Sequence, residues 1–148
     1  MKLAWMMLAN HAESAPNGLL YMNGATWDTI NVQGPLALPP EHPAAHAGAV
    51  AVFQGSLVLR LLFHPTETGR QHSITITIVD EDGGTVAKAD ATVDIQLQED
   101  LPAGWDQGIN LALPFTGLPL PRFGLYRASV QVDEQHLDDL PFRVVKRY

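Results

Sequence analysis

Strict alternation is the feature that most limits what this chain can fold into. Over residues 72–79, Ile74, Ile76 and Ile78 share one parity while Ser73, Thr75 and Thr77 share the other. A strand turns successive side chains to opposite faces, whereas a helix repeats about every 3.6 residues, so this run gathers its apolar groups only as a strand. Asp80-Glu81-Asp82-Gly83-Gly84 follows. It supplies turn chemistry, with carboxylates to bond nearby backbone and glycines free to take positive φ. Beyond it Ala87, Ala89, Ala91, Val93, Ile95 and Leu97 keep one parity, and Lys88, Asp90, Thr92, Asp94 and Gln96 keep the other. Two alternating runs about such a turn are a β-hairpin.

The C-terminal third repeats the pattern. Tyr126, Ala128, Val130 and Val132 alternate with Arg127, Ser129 and Gln131; a turn at Asp133-Glu134-Gln135 precedes Leu140, Phe142 and Val144. Pro141 has no N–H for a ladder, so this last strand is expected to begin there or to lie at a sheet edge. Shorter runs predict strands at 3–10, with Trp5 in the core, and at 19–23, 26–32, 57–64 and 109–113, the last closed by Pro114. Residues 43–52 fit a short helix or an extended segment equally. About nine short strands with turns between them, and no long amphipathic helix, predict an all-β fold: an antiparallel β-sandwich, as one domain over residues 1–148. Two segments depart from the compact pattern. Residues 34–48, GPLALPPEHPAAHAG, and 114–122, PFTGLPLPR, hold seven of the eleven prolines and read as extended loops.

Composition narrows the classes of function. With 148 residues and 46% hydrophobic content the chain has material for a self-supporting core. Its net charge of −7 argues against a nucleic-acid partner, because phosphate neutralisation needs a basic face. Absence of cysteine removes disulfides, thiolate nucleophiles and cysteine metal sites. The apolar run at residues 3–9 is short for a signal peptide and is interrupted by Asn10, His11 and Glu13. No run approaches the roughly 18 apolar residues of a spanning helix. The expectation is a cytoplasmic protein without membrane contact.

Residues 123–133, FGLYRASVQVD, resemble the penultimate strand of immunoglobulin-like sandwiches, with Gly124 two residues before Tyr126 and Val130 and Val132 beyond. That resemblance implies a Tyr126 hydroxyl tied back to nearby backbone at a sheet corner. It implies architecture only, since such folds host many functions. A broader likeness runs through LAWMMLANHAE, Gly18-Leu19-Leu20, Gly24-Ala25-Thr26-Trp27-Asp28, residues 72–84 and residues 141–148. On these segments the chain resembles a family of short uncharacterised bacterial proteins, domains of unknown function, which implies no catalytic residue, ligand or partner.

Candidate chemistry is sparse. His42 and His46, beside Glu41, are four apart as helical metal ligands would be, but Pro43 lies between them and a third ligand is missing. His64 and His72 flank a loop and are expected to end strands. Asp80 and Asp82 hold a turn more simply than a calcium loop, which would need ligands over twelve residues. The serines at 14, 56, 73 and 129 lie in no G-x-S-x-G elbow. Asp138 and Asp139 are adjacent and read as a solvated turn. Trp105, in LPAGWDQG, reads as a plug folded onto the core, with an exposed stacking platform as the alternative; the burial of Trp27 is left open. The reading that follows is a non-catalytic β-sandwich without cofactor or metal, acting through contact with a protein partner or by self-association. The proline-rich loop with Pro39, Pro40, His42 and His46 is its contact surface. The alternatives are a small-molecule or carbohydrate-binding module using Trp27 or Trp105, and a hydrolase with a loop-assembled site.

Overall fold

The computed structural model describes residues 1–42, 45 and 48–148. Nine strands run β1 (Lys2–Ser14), β2 (Leu20–Trp27), β3 (Thr29–Val32), β4 (Ala51–Phe63), β5 (Arg70–Asp80), β6 (Thr85–Ile95), β7 (Gln107–Leu120), β8 (Gly124–Val132) and β9 (Gln135–Lys146). They form two sheets, ordered β2-β1-β4-β7 and β3-β9-β8-β5-β6. The protein is an all-β sandwich. Among the described residues no helix is long and apolar enough to cross a membrane.

The core is the inward parity of both sheets. Phe53, Leu57, Leu59, Leu61 and Phe63 of β4 meet Ile74, Ile76 and Ile78 of β5, with Tyr126, Val130, Phe142 and Val144 from β8 and β9 completing one cluster. Each such side chain contributes about 1.5–3 kcal/mol on full burial. The β5–β6 hairpin forms as the alternation predicts, in a register from Arg70↔Ile95 to Ile78↔Ala87 that sets equal parities opposite each other. Asp80 Oδ1 accepts from the N–H groups of Asp82 and Gly84, closing its turn. The Tyr126 hydroxyl donates to the Arg122 carbonyl at 2.6 Å and accepts from the Arg122 N–H at 3.0 Å, the corner tie that the resemblance implied.

Several sequence expectations are corrected. Residues 26–32 are two strands, because the chain crosses between sheets at Asp28. Having crossed without reversing, β3 lies parallel to β9, so the sandwich is antiparallel at every pair but this one. The strand expected at 57–64 begins earlier, at Ala51. It takes in Gln54-Gly55-Ser56, which reads in sequence as a break between apolar runs, as an irregularity where Gly55 lets the backbone close up. A Cβ there would stand 2.6 Å from the Ala9 carbonyl oxygen. Pro114 does not end its strand: β7 continues to Leu120, with Pro114 opposite Ser56 and Pro119 opposite Val52. An edge strand tolerates the missing N–H groups. The last strand begins at Gln135, and Pro141 is accepted within it because β3 covers only the stretch from Arg143 to Lys146 on that side. Trp5 leaves the core because the register slips by one residue after Leu3. Leu3 therefore faces Leu61 inside, while Trp5 lies beside Arg60 on the outer face.

Candidate functional site

The two outer faces differ. That of the second sheet is polar, with Ser73, Thr75, Thr77, Lys88, Asp90 and Arg127. That of the first carries rows Trp5–Arg60–Asn110 and Met7–Val58–Ala112. Val58 is fully buried although it faces away from the second sheet. The β1–β2 hairpin crosses this same face. Strand β1 pairs with β4 only as far as Ala9↔Ser56, and continues with β2 alone to Ser14↔Leu20. The freed half lies across the outer face, and its tip is held where Asn110 Nδ2 donates to the Gly18 carbonyl at 2.9 Å.

Thr26 produces the bend. The β1–β2 register passes from Leu8↔Trp27 to Ala9↔Ala25, leaving Thr26 as the extra residue of a bulge at φ 68°. Bulges bend and twist the strand that carries them.

Beneath the tip is a hollow of about 610 Å³ between Gly18, Leu19, Arg60, Asn110 and the 96–106 loop. Arg60 supplies its positive charge. Its Nη1 donates to Asn110 Oδ1 at 2.9 Å, and its guanidinium rests against Gly108, in the space a Cβ would fill. Asn110 thus joins Arg60 to the hairpin tip. Among the described residues no carboxylate pairs with Arg60. Asp106, also in the wall, is taken by Lys2 at 3.5 Å. A half-buried guanidinium with a neutral partner keeps N–H groups whose fork geometry can pair bidentately with a carboxylate. Nothing in sequence singled out Arg60. The available signal was a lone arginine in the apolar run of residues 57–63.

The residues singled out in sequence are dispersed. Pro39 and Pro40 are exposed in the 33–50 segment, His42 is half-buried, and His46 lies outside the described residues. The His42 ring lies against Gly117, whose φ of 64° and missing Cβ admit it, so the two proline-bearing segments touch. Trp105 is not a plug: it is 62% exposed, because the Pro102–Trp105 turn stands off the sandwich edge. With Leu97, Leu101 and Pro102 it lines a shallow hollow of about 250 Å³. Trp27 is half-buried, packs on Phe53 with ring centroids 5.6 Å apart, and borders a groove of about 480 Å³ with Asn10, Thr29 and Gln54. Its indole N–H is enclosed and has no hydrogen-bond partner.

His64 and His72 are structural. His64 does end β4, capping the 3₁₀ turn at Pro65–Glu67, but His72 is fully buried inside β5. Its Nδ1 lies 2.6 Å from Asp133 Oδ2 and its Nε2 2.6 Å from the Glu67 carbonyl, so the ring ties β5 to the β8–β9 turn on one side and to the 3₁₀ turn on the other. Desolvation acts to raise the Asp133 carboxyl. The Ser73 N–H, the His72 bond and the charges of His72 and Arg70 outweigh it and hold the group below its ordinary value.

Asp138 and Asp139 sit within β9 rather than in a turn, because the hairpin reverses earlier, at Asp133 and Glu134. Asp139 accepts from His136 at 3.0 Å and from Ser129; these bonds hold its carboxyl below the ordinary value, the His136 bond foremost and against desolvation. This order of groups puts the carboxylate between serine and imidazole, whereas a nucleophilic triad needs the imidazole in the middle. Among the described residues no three His, Asp or Glu side chains gather as a metal site.

A comparison with curated proteins found no match. A family model does match, over residues 4–145, which takes in all nine strands except the outermost residues of β1 and β9. The chain belongs to the family of unknown function DUF6941.

Proposed function

We propose that this protein is a non-catalytic binding module that takes a small carboxylate-bearing ligand beneath the β1–β2 hairpin. The observation that carries the reading is Arg60, half-buried under the hairpin tip with the neutral Asn110 as its hydrogen-bond partner. A ligand carboxylate gives that guanidinium its charge partner and reaches the Asn110 link that positions the tip. A cytoplasmic home belongs to the same reading: a chain without cysteine needs no oxidising compartment, and fractionation of cells checks it.

Thermal unfolding with acetate, succinate, citrate or inorganic phosphate tests the site. A ligand at a hundred times its Kd adds about 2.7 kcal/mol of stability. For a domain of this size that is a rise in Tm of roughly 5–10 °C. At least one carboxylate is expected to raise Tm in the native chain and not in Arg60→Gln. Gly108→Ala, which keeps the charge but displaces the guanidinium, should also lose the shift. Equal shifts in native and Arg60→Gln protein, or no shift with any of these anions, would sink the proposal. Contact with a protein partner is supported by a different element, strand β6.

A further inference from the structure

Each sheet of a sandwich has two edges, and three of the four here are guarded. Strand β3 is four residues long. Strand β2 carries Gly24 and Thr26 at positive φ, which break its regular backbone. Strand β7 contains Pro114 and Pro119. Short, bulged and proline-bearing edges are the usual means of preventing edge-to-edge pairing. Strand β6 is neither short nor proline-bearing, and its one irregularity, Val86 as the extra residue between Ile78↔Ala87 and Val79↔Thr85, lies at its start and leaves residues 87–95 in unbroken register. Its eleven residues, TVAKADATVDI, contain neither glycine nor proline and pair with β5 along one side. On the other side no strand covers it among the described residues.

Its charges are arranged to accept a copy of itself. Lys88, Asp90 and Asp94 share the outer parity. Antiparallel pairing about a two-fold axis at Ala91 sets residue i opposite residue 182 − i. Lys88 then faces the second copy's Asp94, Asp94 faces its Lys88, and Asp90 faces Thr92. Moving the axis to Asp90 sets that carboxylate against itself; moving it to Thr92 sets Asp90 against Asp94. Like charges directly opposed across a strand pair are destabilising, and opposite charges contribute roughly 0.2–1 kcal/mol per pair. An axis at Ala89 also pairs opposite charges, Lys88 with Asp90. Packing on the inner face separates these two registers. About Ala91, Ala87 faces Ile95 and Ala89 faces Val93, small against large. About Ala89 the facing pairs are Ala87 with Ala91 and Ala89 with itself, which leaves the inner face underfilled.

We infer that β6 is a self-association edge: two copies of this chain pair antiparallel about Ala91, joining their five-stranded sheets into one ten-stranded sheet. Closed two-fold dimers are the commonest soluble assemblies, and an isologous contact requires the self-complementary pattern that this strand carries. The interface is remote from Arg60, which lies on the other sheet.

Light scattering coupled to size exclusion, at about 0.05 M salt so that screening stays weak, reads the assembly directly. The native chain should elute at twice its 16.1 kDa mass. Lys88→Asp and Asp94→Lys should each shift it to monomer, and the double variant Lys88→Asp/Asp94→Lys should recover the dimer. The β-sheet signal in circular dichroism should be unchanged throughout, since all three variants lie on the exposed face. Restoration by Lys88→Asp/Asp90→Lys instead would overturn the Ala91 register. A monomeric native chain, or a dimer indifferent to both single changes, would overturn the edge itself.

Discussion

Thr26 holds a β-branched side chain at φ 68°, a conformation that costs an L-residue roughly 1–2 kcal/mol. The bulge it forms turns the β1–β2 hairpin over the outer face, so the strain is placed where the hollow needs its roof. Thr26→Gly relieves the strain and keeps the geometry; the expected gain is about 1 kcal/mol, or 2–4 °C in Tm by calorimetry. His72 and Asp133 give a prediction of opposite direction. The folded Asp133 binds its proton more weakly than the unfolded chain does, so acid favours unfolding. Its contribution is complete above the ordinary carboxylate pKa near 4 and is lost as pH falls through the lower folded value. Asp133→Asn should cost about 2 kcal/mol at pH 7, because it removes the charged partner of a buried ring. It should also flatten the acid limb of stability between about pH 5 and pH 2 in urea titrations. An acid limb as steep as that of the native chain would assign it to other carboxylates. Neither residue was legible beforehand, since a bulge and a contact spanning sixty-one positions depend on which strands become neighbours.

At the scale of elements, the long strand β4 is the centre of the first sheet and its main contribution to the core. It pairs with β1 and β7, and its inward parity supplies Phe53, Leu57, Leu59, Leu61 and Phe63 to the core. Its weak point is Gly55, where any side chain meets the Ala9 carbonyl. Gly55→Ala should cost about 1–3 kcal/mol through overpacking, measured by denaturant unfolding. The adjoining Ala9 also ends the β1–β4 ladder, so the same variant should loosen the hairpin and raise hydrogen exchange at the Asn110–Gly18 link. Unchanged stability would show that the two strands can separate there freely. Elements were read well where alternation was unbroken, as in β5, β6 and β8. They were misread where proline or glycine looked like a terminator, as at Gln54-Gly55-Ser56 and Pro114. Those residues mark ends in an isolated chain; at a bulge or a sheet edge they are tolerated, because no ladder bond is lost there.

For the molecule as a whole, the two sheets present different faces to their surroundings. The second sheet is polar outside and extendable at β6; the first is partly apolar outside and roofed by its own hairpin over Arg60. The two proposed contacts therefore use different sheets, and a chain carrying both Arg60→Gln and Lys88→Asp should lose ligand stabilisation and dimer independently. The sequence by itself determined the class of fold, the inward parity of β5, β6 and β8, and the β5–β6 hairpin. Each of these follows from the two-residue period of a strand, a property local to the chain. Tertiary structure alone decided that β3 runs parallel to β9, that Trp5 faces out, that Trp105 is exposed and that Arg60 lies under a hairpin with no carboxylate paired to it among the described residues. The reason is physical: one bulge reverses every side chain beyond it, and whether a charge is paired depends on neighbours that only the packed sheets bring together.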